Sequence, residues 1–237
     1  MKFDDLDARL RIFETAHDHC ALPGLHLVAR LDGRGFTRLT KEVHAFEAPF
    51  DVRMRDHKVA TTHHLLDCGF RIVYGYTQSD EISLLLHLEE DSFGRKLRKY
   101  ISVLAGEASA AFSLHLGAPG VFDCRISQLP RSSDVVDYFR WRQEDAGRNA
   151  LNAHCYWLLR KQGHSVAEAT GQVKGQRTAA KHDLLFGHGI NYNDLQKSGF
   201  NPHTQTNVET TRRRLTTNQE LPLGPAYETF IQALLLN

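Results

Sequence analysis

The sequence predicts an α+β fold whose strands and helices follow the ferredoxin-like order β-α-β-β-α-β. Three observations lead to this prediction: an alternating apolar stretch near residue 28, two β-rich stretches that flank residue 80, and a helical repeat that precedes a further β-rich stretch at residue 121. Hydrophobic residues are 41% and charged residues 24% of the chain, which is a globular composition and excludes overall disorder.

The first strand is predicted between Leu25 and Leu31, because apolar and polar side chains alternate there with the period of two that buries one face of a strand. It is predicted to end at Asp32-Gly33-Arg34-Gly35, where two glycines permit a sharp turn. Residues 51–66 mix polar and apolar side chains without a helix breaker, which is compatible with the first helix.

The next two strands form a predicted hairpin. The β-rich run Arg71–Tyr76 is followed by the polar link Thr77–Glu81 and by the apolar run Ile82–Leu86. Because the link is short, it joins antiparallel neighbours, and it carries the adjacent carboxylates Asp80 and Glu81 at the turn.

The second helix is predicted over residues 95–115, where apolar side chains recur every three or four positions. Pro119-Gly120 is predicted to end this helix. The run Val121–Ile126 then resumes a strand pattern and completes the six-element order.

The remainder of the chain is predicted to be mainly helical. Residues 133–161 have a helical character, and Ser165–Glu168 has the spacing of a capping box, which opens a further short helix. Residues 197–220 are rich in Asn, Thr and Gln and predict a loop, and residues 223–237 predict a final helix. We therefore expect a helical extension that packs on the sheet domain as one unit.

Charge is unevenly distributed along the chain. Lys+Arg 29 against Asp+Glu 28 gives a formal net charge of +1, so no whole-protein field favours a polyanion. Between Arg160 and Arg214, however, nine basic residues stand against four acidic ones. We divide the chain into a core over residues 1–132 and an extension over residues 133–237 that carries this basic surface. The absence of a bilayer-length apolar run and of a signal-peptide pattern predicts a soluble, cytoplasmic protein.

Carboxylates from the first strand and the hairpin are predicted to meet. The first and third strands of this fold are neighbours, so Asp32 is expected to face Asp80 and Glu81. Unpaired carboxylates repel one another, whereas Mg²⁺ prefers such oxygen ligands and completes its shell with water and phosphates. Two such ions about 4 Å apart are a usual device for phosphoryl transfer. We therefore predict three acidic side chains around magnesium, with the carbonyl of Gly33 as a further ligand.

Two further features favour phosphate binding. The backbone amides of Gly33-Arg34-Gly35 can approach a triphosphate, because glycine lacks a β-carbon. The start of the second helix also carries basic side chains whose charge, together with the helix dipole, is expected to attract phosphate to the same site. These side chains are Arg95, Lys96, Arg98 and Lys99. Each feature alone is equally typical of an exposed turn or helix face, and only their convergence indicates a site.

Four motifs carry a family resemblance. They are Arg30-Leu31-Asp32-Gly33-Arg34-Gly35-Phe36, Tyr74-Gly75-Tyr76-Thr77-Gln78-Ser79-Asp80-Glu81-Ile82-Ser83, Trp141-Arg142-Gln143-Glu144-Asp145 and Gly189-Ile190-Asn191-Tyr192-Asn193. This ordered set resembles the tRNA-histidine guanylyltransferase superfamily, and within it the Thg-like 3′–5′ RNA polymerases. The resemblance implies a palm domain like that of polymerases and nucleotidyl cyclases. It also implies that a nucleoside triphosphate activates a tRNA 5′-phosphate, which the 3′-hydroxyl of an incoming nucleotide then attacks.

The resemblance implies roles for matching residues. Asp32 and Asp80, with the Gly33 carbonyl, match ligands of two Mg²⁺ ions, and Glu81 matches an acidic residue required for activity. The nucleotide-binding positions are Arg30, Gly33, Arg34, Gly35, Phe36, Ser79, Lys96 and Lys99. A second nucleotide site or a tRNA 5′-end site is matched by Lys181 and Asn191, although a solvated lysine and a turn asparagine are equally ordinary interpretations. ATP and GTP are the implied nucleotides, tRNA the implied partner, and a homotetramer, as a dimer of dimers, the implied assembly.

Two departures from the family pattern refine this hypothesis. The guanylyltransferases proper carry H-I-N-N shortly after W-R-Q-x-D, whereas Gly147 stands here in place of the histidine. That loss resembles the Thg-like branch and implies templated repair of 5′-truncated tRNA. The family also tends to place a lysine before the proline of an earlier loop, where this chain has Ala48-Pro49, which weakens the expectation of triphosphate contacts from that loop.

Three alternatives stay open from the sequence. One is the addition of guanosine to tRNA-His. Another is a palm-fold enzyme similar to nucleotidyl cyclases, which would use the same two ions but leave the basic region 160–214 without a function. The third is an RNA-recognition module, which shares the element order and whose signature begins like Arg34-Gly35-Phe36, but Thr37 and Arg38 break that pattern.

Overall fold

The computed structural model describes residues 2–193, 206–211, 214–218 and 220–236. The strands are β1 (His26–Arg34), β2 (Ile72–Gln78), β3 (Glu81–Leu86), β4 (Val121–Leu129), β5 (Thr206–Thr211) and β6 (Arg214–Asn218). The helices are α1 (Phe3–Thr15), α2 (Phe36–Arg38), α3 (Val52–Leu66), α4 (Leu97–Leu116), α5 (Ser132–Lys161), α6 (Val166–Val173), α7 (Thr178–Phe186) and α8 (Pro225–Leu234). Within these ranges no helix combines the length and the apolar character that crossing a membrane requires.

The strands form one antiparallel sheet in the order β4-β1-β3-β2-β5-β6. Its first four strands have the arrangement of a ferredoxin-like domain, so the predicted topology is confirmed. The predicted loop over residues 197–220 is wrong for the part that the structure describes, because β5 pairs with β2 and β6 pairs with β5. An exposed edge of β2 offered unpaired backbone groups there, and threonine-rich segments suit such pairing. Residues 197–205, 212, 213 and 219 of that prediction lie outside the described residues.

The two faces of β1 pack against different helices. Leu27, Ala29 and Leu31 join the core that α3 and α4 cover, whereas Val28 lies in the core beneath α5 and α8. All four side chains are at most 2% exposed. Burial of a leucine side chain contributes about 1.5–3 kcal/mol, so this double cover holds the strand firmly between two helical layers.

Helix α4 differs from its prediction at its start. It begins at Leu97, because the preceding Arg95 has a φ of 58°, which a helix does not allow. The side chain of Arg95 is buried and holds neighbouring segments of backbone together. The Arg95 guanidinium donates hydrogen bonds to five backbone carbonyls, those of Ala21, Leu22, Leu25, Leu88 and Glu90. The helix ends at Leu116, where Gly117 adopts a left-handed cap with φ 74°, before the predicted stop at Pro119-Gly120.

The predicted helices of the extension are present. Helix α6 begins with the predicted capping box, in which the Ser165 hydroxyl accepts the Glu168 N–H and the Glu168 carboxylate accepts the Ser165 N–H. The final helix α8 packs on α5 and on the sheet, where the hydroxyl groups of Tyr227 and Tyr74 lie 3.0 Å apart. The extension therefore shares one of the cores of the sheet domain.

Gly33 belongs to β1 rather than to the predicted turn. A β-carbon on Gly33 would lie 2.5 Å from Cγ of Phe36, closer than real contacts allow. That ring packs on Phe112 and Phe122, with ring centroids 4.9 and 5.0 Å away. The chain turns at Gly35 instead, which has a φ of 71°. Glycine at position 33 thus allows the end of the strand to approach the core ring closely.

Gly33→Ala is expected to lower the free energy of unfolding by about 1–3 kcal/mol, because the new methyl group displaces the Phe36 ring from a filled core. Urea unfolding measures this change. The matched control is Gly106→Ala in α4, where a β-carbon meets no atom within 4 Å and a gain of up to about 1 kcal/mol is expected. Unchanged stability of the Gly33→Ala variant would contradict the packing constraint.

Candidate active site

The end of β1 lies beside the tip of the hairpin formed by β2 and β3. Asp32 is the Cα partner of Glu81 in the antiparallel ladder, and the Gly33 N–H donates a 3.0 Å hydrogen bond to the Asp80 carbonyl. The structure therefore brings the three predicted acidic residues to one end of the sheet, although they come from two distant parts of the chain.

At the hairpin turn, the backbone is strained at Ser79 and the ionised form of Asp80 is disfavoured. Ser79 has a φ of 43°, in the left-handed region that a residue with a β-carbon adopts at a cost. Burial raises the pKa of Asp80 and the charge of Asp32 raises it further, whereas Lys58 and the Ser79 hydroxyl act in the opposite direction. Because a neighbouring carboxylate disfavours its ionised form, a cation at Asp80 would be stabilising.

Glu81 differs from Asp80, because two arginines bind its carboxylate. Arg30 Nη2 lies 3.0 Å from Glu81 Oε1, and Arg142 Nη1 lies 3.2 Å from Oε2. Arg30 also reaches Asp32 at 3.1 Å, since residues two apart on a strand share a face. The prediction that three acidic side chains surround magnesium stays a prediction, and the oxygens of Glu81 are engaged by two arginines in this structure. Glu81 holds Arg30 and Arg142 at this end of the sheet.

Arg142 was not among the predicted site residues. Helix α5 carries it to the sheet, where its side chain is 4% exposed and also lies 3.8 Å from Asp145. The guanidinium carbon stands 3.6 Å from the Trp141 ring centroid. The signal in the sequence was the motif Trp141–Asp145 itself, which places an arginine among aromatic and acidic residues but does not reveal its partner in β3.

Asp32 and Asp80 fit a magnesium site by the chemistry of their donor atoms. Both supply hard oxygen ligands, and Mg²⁺ usually takes one or two protein carboxylates together with water and substrate phosphates. In the portion of the chain for which the structure gives positions, no group of three or more His, Cys, Asp or Glu side chains is arranged to hold a metal ion. A site built on these two carboxylates would therefore depend on ligands from a bound phosphate compound.

A pocket of about 160 Å³ adjoins Asp80. Two predicted nucleotide-binding residues, Phe36 and Ser79, line it together with Asp80, and the segment 46–51, helix α3 and Trp157 of α5 complete the walls. Lys41 stands 5.3 Å from the Trp157 ring centroid. Aromatic walls on one side and a carboxylate on the other suit a flat ligand that carries charged groups.

Lys58 is a second residue that the sequence did not reveal. It lies on α3, is 2% exposed and lines the pocket. Burial lowers the pKa of Lys58 to about 8, although Asp80 and Glu81 act against this shift. The sequence predicted only a helix at this position, since a lysine within a mixed polar segment is normally solvated.

The predicted basic cluster lies at the other end of the sheet. Lys96 and Arg98 both bind Asp18, Lys96 at 2.7 Å, and the Lys99 ammonium stands 5.5 Å from an aromatic ring centroid. Strand β3 leads away from the hairpin tip, so α4 begins beside the residues that precede β1, about 20 Å from Asp32 at about 3.3 Å per strand residue. The prediction that this helix start adds charge to the carboxylate site is therefore wrong within one chain.

Lys181 and Asn191 lie in the extension. Lys181 is half-buried on α7, and its carbonyl accepts a hydrogen bond from Cys155 Sγ at 3.5 Å. Asn191 is exposed after α7, and its side-chain oxygen accepts the Asn193 N–H at 3.2 Å, as a turn asparagine does. These contacts attach both residues to the helical extension.

The antiparallel sheet, the two carboxylates at its end and the adjoining pocket define a palm-like domain of the kind that serves phosphoryl transfer. The comparison with protein families is more specific. The family model described as tRNAHis guanylyltransferase matches residues 7–130, and the one described as Thg1 C terminal domain matches residues 133–220. The chain belongs to the tRNAHis guanylyltransferase family, as its four motifs predicted.

Individual relatives agree with this assignment. The probable tRNA(His) guanylyltransferase of Mus musculus is 32% identical over 196 residues, which cover 78% of this chain and 65% of the mouse protein. The tRNA(His) guanylyltransferase of Schizosaccharomyces pombe is 33% identical over 191 residues, covering 75% of this chain and 73% of that protein. Among solved structures, a bacterial tRNA(HIS) guanylyltransferase (Thg1)-like protein in complex with ATP has the same fold, with a TM-score of 0.78 at 24% identity, covering 98% of this chain and 100% of that one.

Arg142→Met is expected to lower the free energy of unfolding by about 2–4 kcal/mol, because it leaves the Glu81 carboxylate short of one cation. Adding Glu81→Gln should recover part of this loss, with a coupling energy of about 0.5–3 kcal/mol in a double-mutant cycle followed by urea unfolding. The exposed pair Arg125 and Asp123 provides the control, with an expected coupling below about 1 kcal/mol. Additive losses at Arg142 and Glu81 would show that the buried pair is not coupled.

Proposed function

We propose that this protein is a metal-dependent nucleotidyltransferase that adds nucleotides to the 5′ end of tRNA. The observation that carries the proposal is the pairing of Asp32 with the hairpin tip, which brings Asp32 to Asp80, a carboxylate that lines a pocket. Membership of the tRNAHis guanylyltransferase family supports the transfer reaction and the tRNA substrate. The relatives of the same fold in complex with ATP and with GTP support nucleoside triphosphates as the second substrate.

The proposed reaction has two steps. In the first, an oxygen of the tRNA 5′-phosphate attacks the α-phosphorus of ATP, and pyrophosphate leaves. In the second, the 3′-hydroxyl of an incoming nucleotide attacks the activated 5′-phosphorus, and AMP leaves, so that the chain grows in the 3′–5′ direction. Two Mg²⁺ ions, when bound, would supply charge for the attacking and leaving oxygens.

Residues of this chain are proposed to bind the ions, to bind the phosphate oxygens and to position the carboxylates. Asp32 and Asp80 would hold the ions with the Gly33 carbonyl. Burial raises the pKa of Asp80, and the charge of Asp32 raises it further, a repulsion that bound cations would relieve. The backbone of Gly33-Arg34-Gly35 and the hydroxyl of Ser79 would bind phosphate oxygens. Arg30 is held between Asp32 and Glu81, where it fixes the direction of both carboxylates.

We propose templated repair of 5′-truncated tRNA as the main activity. Gly147, which stands where the guanylyltransferases proper have histidine, supports this choice, and its carbonyl accepts a 3.1 Å hydrogen bond from the Tyr192 hydroxyl. The second candidate is the addition of guanosine to tRNA-His, which the names of the curated relatives favour.

The division into a core over residues 1–132 and a tRNA-binding extension over residues 133–237 also stays a proposal. The exposed side chains Lys174 and Arg177, on the segment between α6 and α7, support a basic surface there. The homotetramer stays a prediction of the resemblance, and the cytoplasmic location stays a prediction from the sequence composition.

Asp32→Asn and Asp80→Asn are each expected to reduce nucleotide addition at least about 10³-fold, equivalent to about 4 kcal/mol of transition-state stabilisation, because each removes a carboxylate ligand. Addition of labelled nucleotide to a 5′-truncated tRNA measures the rate, and filter binding should give tRNA affinity within about threefold of the natural chain. The control is Asp67→Asn, an exposed residue at the other end of α3, with an unchanged rate expected. Rates near normal in either site variant would eliminate the two-carboxylate assignment.

A panel of RNA substrates tests the choice of reaction. Incubated with Mg²⁺ and all four nucleotides, the enzyme is expected to restore 5′-truncated tRNAs with the nucleotide complementary to the opposite strand, at a rate at least about tenfold above guanosine addition to intact tRNA-His. A faster reaction with tRNA-His would favour the second candidate. Formation of a cyclic nucleotide without addition to RNA would instead show that the enzyme resembles the nucleotidyl cyclases. EDTA should abolish either transfer reaction.

A further inference from the structure

Lys58 is a buried cation without a contact partner among the described residues. It is 2% exposed, and none of the hydrogen bonds or ion pairs of the described chain involves its ammonium group. Asp80 and Glu81 favour its charged form only from beyond ion-pair distance. Because a buried charge without a partner is costly, this position is unfavourable for the fold unless a ligand supplies the missing contact.

The position of Lys58 on its helix directs it to the pocket. Lys58 lies one helical turn after Met54, so the two side chains share a face of α3, and both line the pocket beside Ser79 and Asp80. Arg55 also lines the pocket, but its guanidinium lies 2.7 Å from Asp56, so its charge is already paired. Lys41 also lines the pocket, but its ammonium group stands over the Trp157 ring, 5.3 Å from the ring centroid. Lys58 is therefore a pocket cation that shares the lining with Asp80 and has no ion pair in the described part of the chain.

The chemistry of the pocket favours an anion between these groups. A lysine binds phosphate as a compact point charge with three donors, and such charge-assisted hydrogen bonds are the stronger ones. The loop segment that lines the pocket contributes Ala48 and Pro49, which supply no side-chain donor, and the acidic residues Glu47 and Asp51, so this segment offers no cation to a phosphate. Helix α3 can therefore provide the positive charge for a phosphate that the loop at Ala48-Pro49 does not provide.

We propose that Lys58 binds a phosphate group of the nucleoside triphosphate in this pocket and supplies from helix α3 the cation that the loop at Ala48-Pro49 lacks. This inference rests on the proposed function, because it takes the nucleotide to lie beside Asp80. It assigns to α3 a direct role in substrate binding, in addition to its role in covering the sheet.

The test compares two ligands on one variant. Lys58→Met keeps the length and apolar stem of the side chain and removes its charge. Equilibrium binding of α,β-methylene ATP and of adenosine is measured with and without Mg²⁺ by titration. The preference for the triphosphate over adenosine is expected to fall about tenfold to a hundredfold, the range for loss of one charge-assisted hydrogen bond, while adenosine affinity is unchanged.

Controls separate this effect from a loss of structure. Lys2→Met, an exposed residue just before α1, should keep the full preference for triphosphate. Thermal unfolding establishes that the Lys58→Met variant is folded, and Lys58→Gln replaces it if it is not. Since the preference is a ratio measured on one variant, a partial loss of folded protein cancels from it.

An unchanged preference for the triphosphate in the Lys58 variant would overturn the inference. If the Mg²⁺ concentration for half-saturation is shifted at the same time, Lys58 only balances the charge of the carboxylates. A natural chain that binds the triphosphate through Lys58 but adds no nucleotide to tRNA would refute the proposed function and leave the Lys58 contact established.

Discussion

The antiparallel pairing of β1 with β3 is the constraint on which the candidate site depends. It places Asp32 opposite Glu81 and lets the Gly33 N–H bind the Asp80 carbonyl, so the backbone itself fixes the separation of the carboxylates. A slip of one residue would turn each side chain to the other face of the sheet. Because hydrophobic residues cover both faces of β1, that slip would also expose the core, and the register is therefore specified by burial.

The cations that offset the repulsion between the acidic residues lie on both faces of the sheet. On the face that α5 covers, Arg30 and Arg142 engage Glu81 with ion pairs of 3.0 and 3.2 Å. On the α3 side, Lys58 acts on Asp80 from a greater distance. Glu81 is thus bound by two arginines, whereas burial and the charge of Asp32 raise the pKa of Asp80. The two carboxylates therefore have different surroundings, although they are adjacent in the chain.

The extension takes part in the site as well as in the proposed binding of RNA. Helix α5 brings Arg142 to the end of the sheet at Glu81 and, about four turns later, brings Trp157 to the pocket wall. One rigid helix therefore couples the position of the carboxylates to the shape of the pocket. A family model for the core and another for the C-terminal part match consecutive segments of this chain, and the structure shows both segments contributing side chains to the same end of the sheet.

The sequence by itself determined the element order and the meeting of Asp32 with the hairpin tip, because alternating burial and short polar turns are local properties and the topology of such a sheet has few solutions. It did not determine the direction of the second helix relative to the site, so the charge of Lys96 was assigned to the wrong end. Nor did it distinguish Glu81, which binds two arginines, from Asp80, whose pKa is raised by burial and by Asp32. Those properties depend on partners from α3 and α5, and only the packing of these helices on the sheet brings Lys58 and Arg142 within reach of the carboxylates.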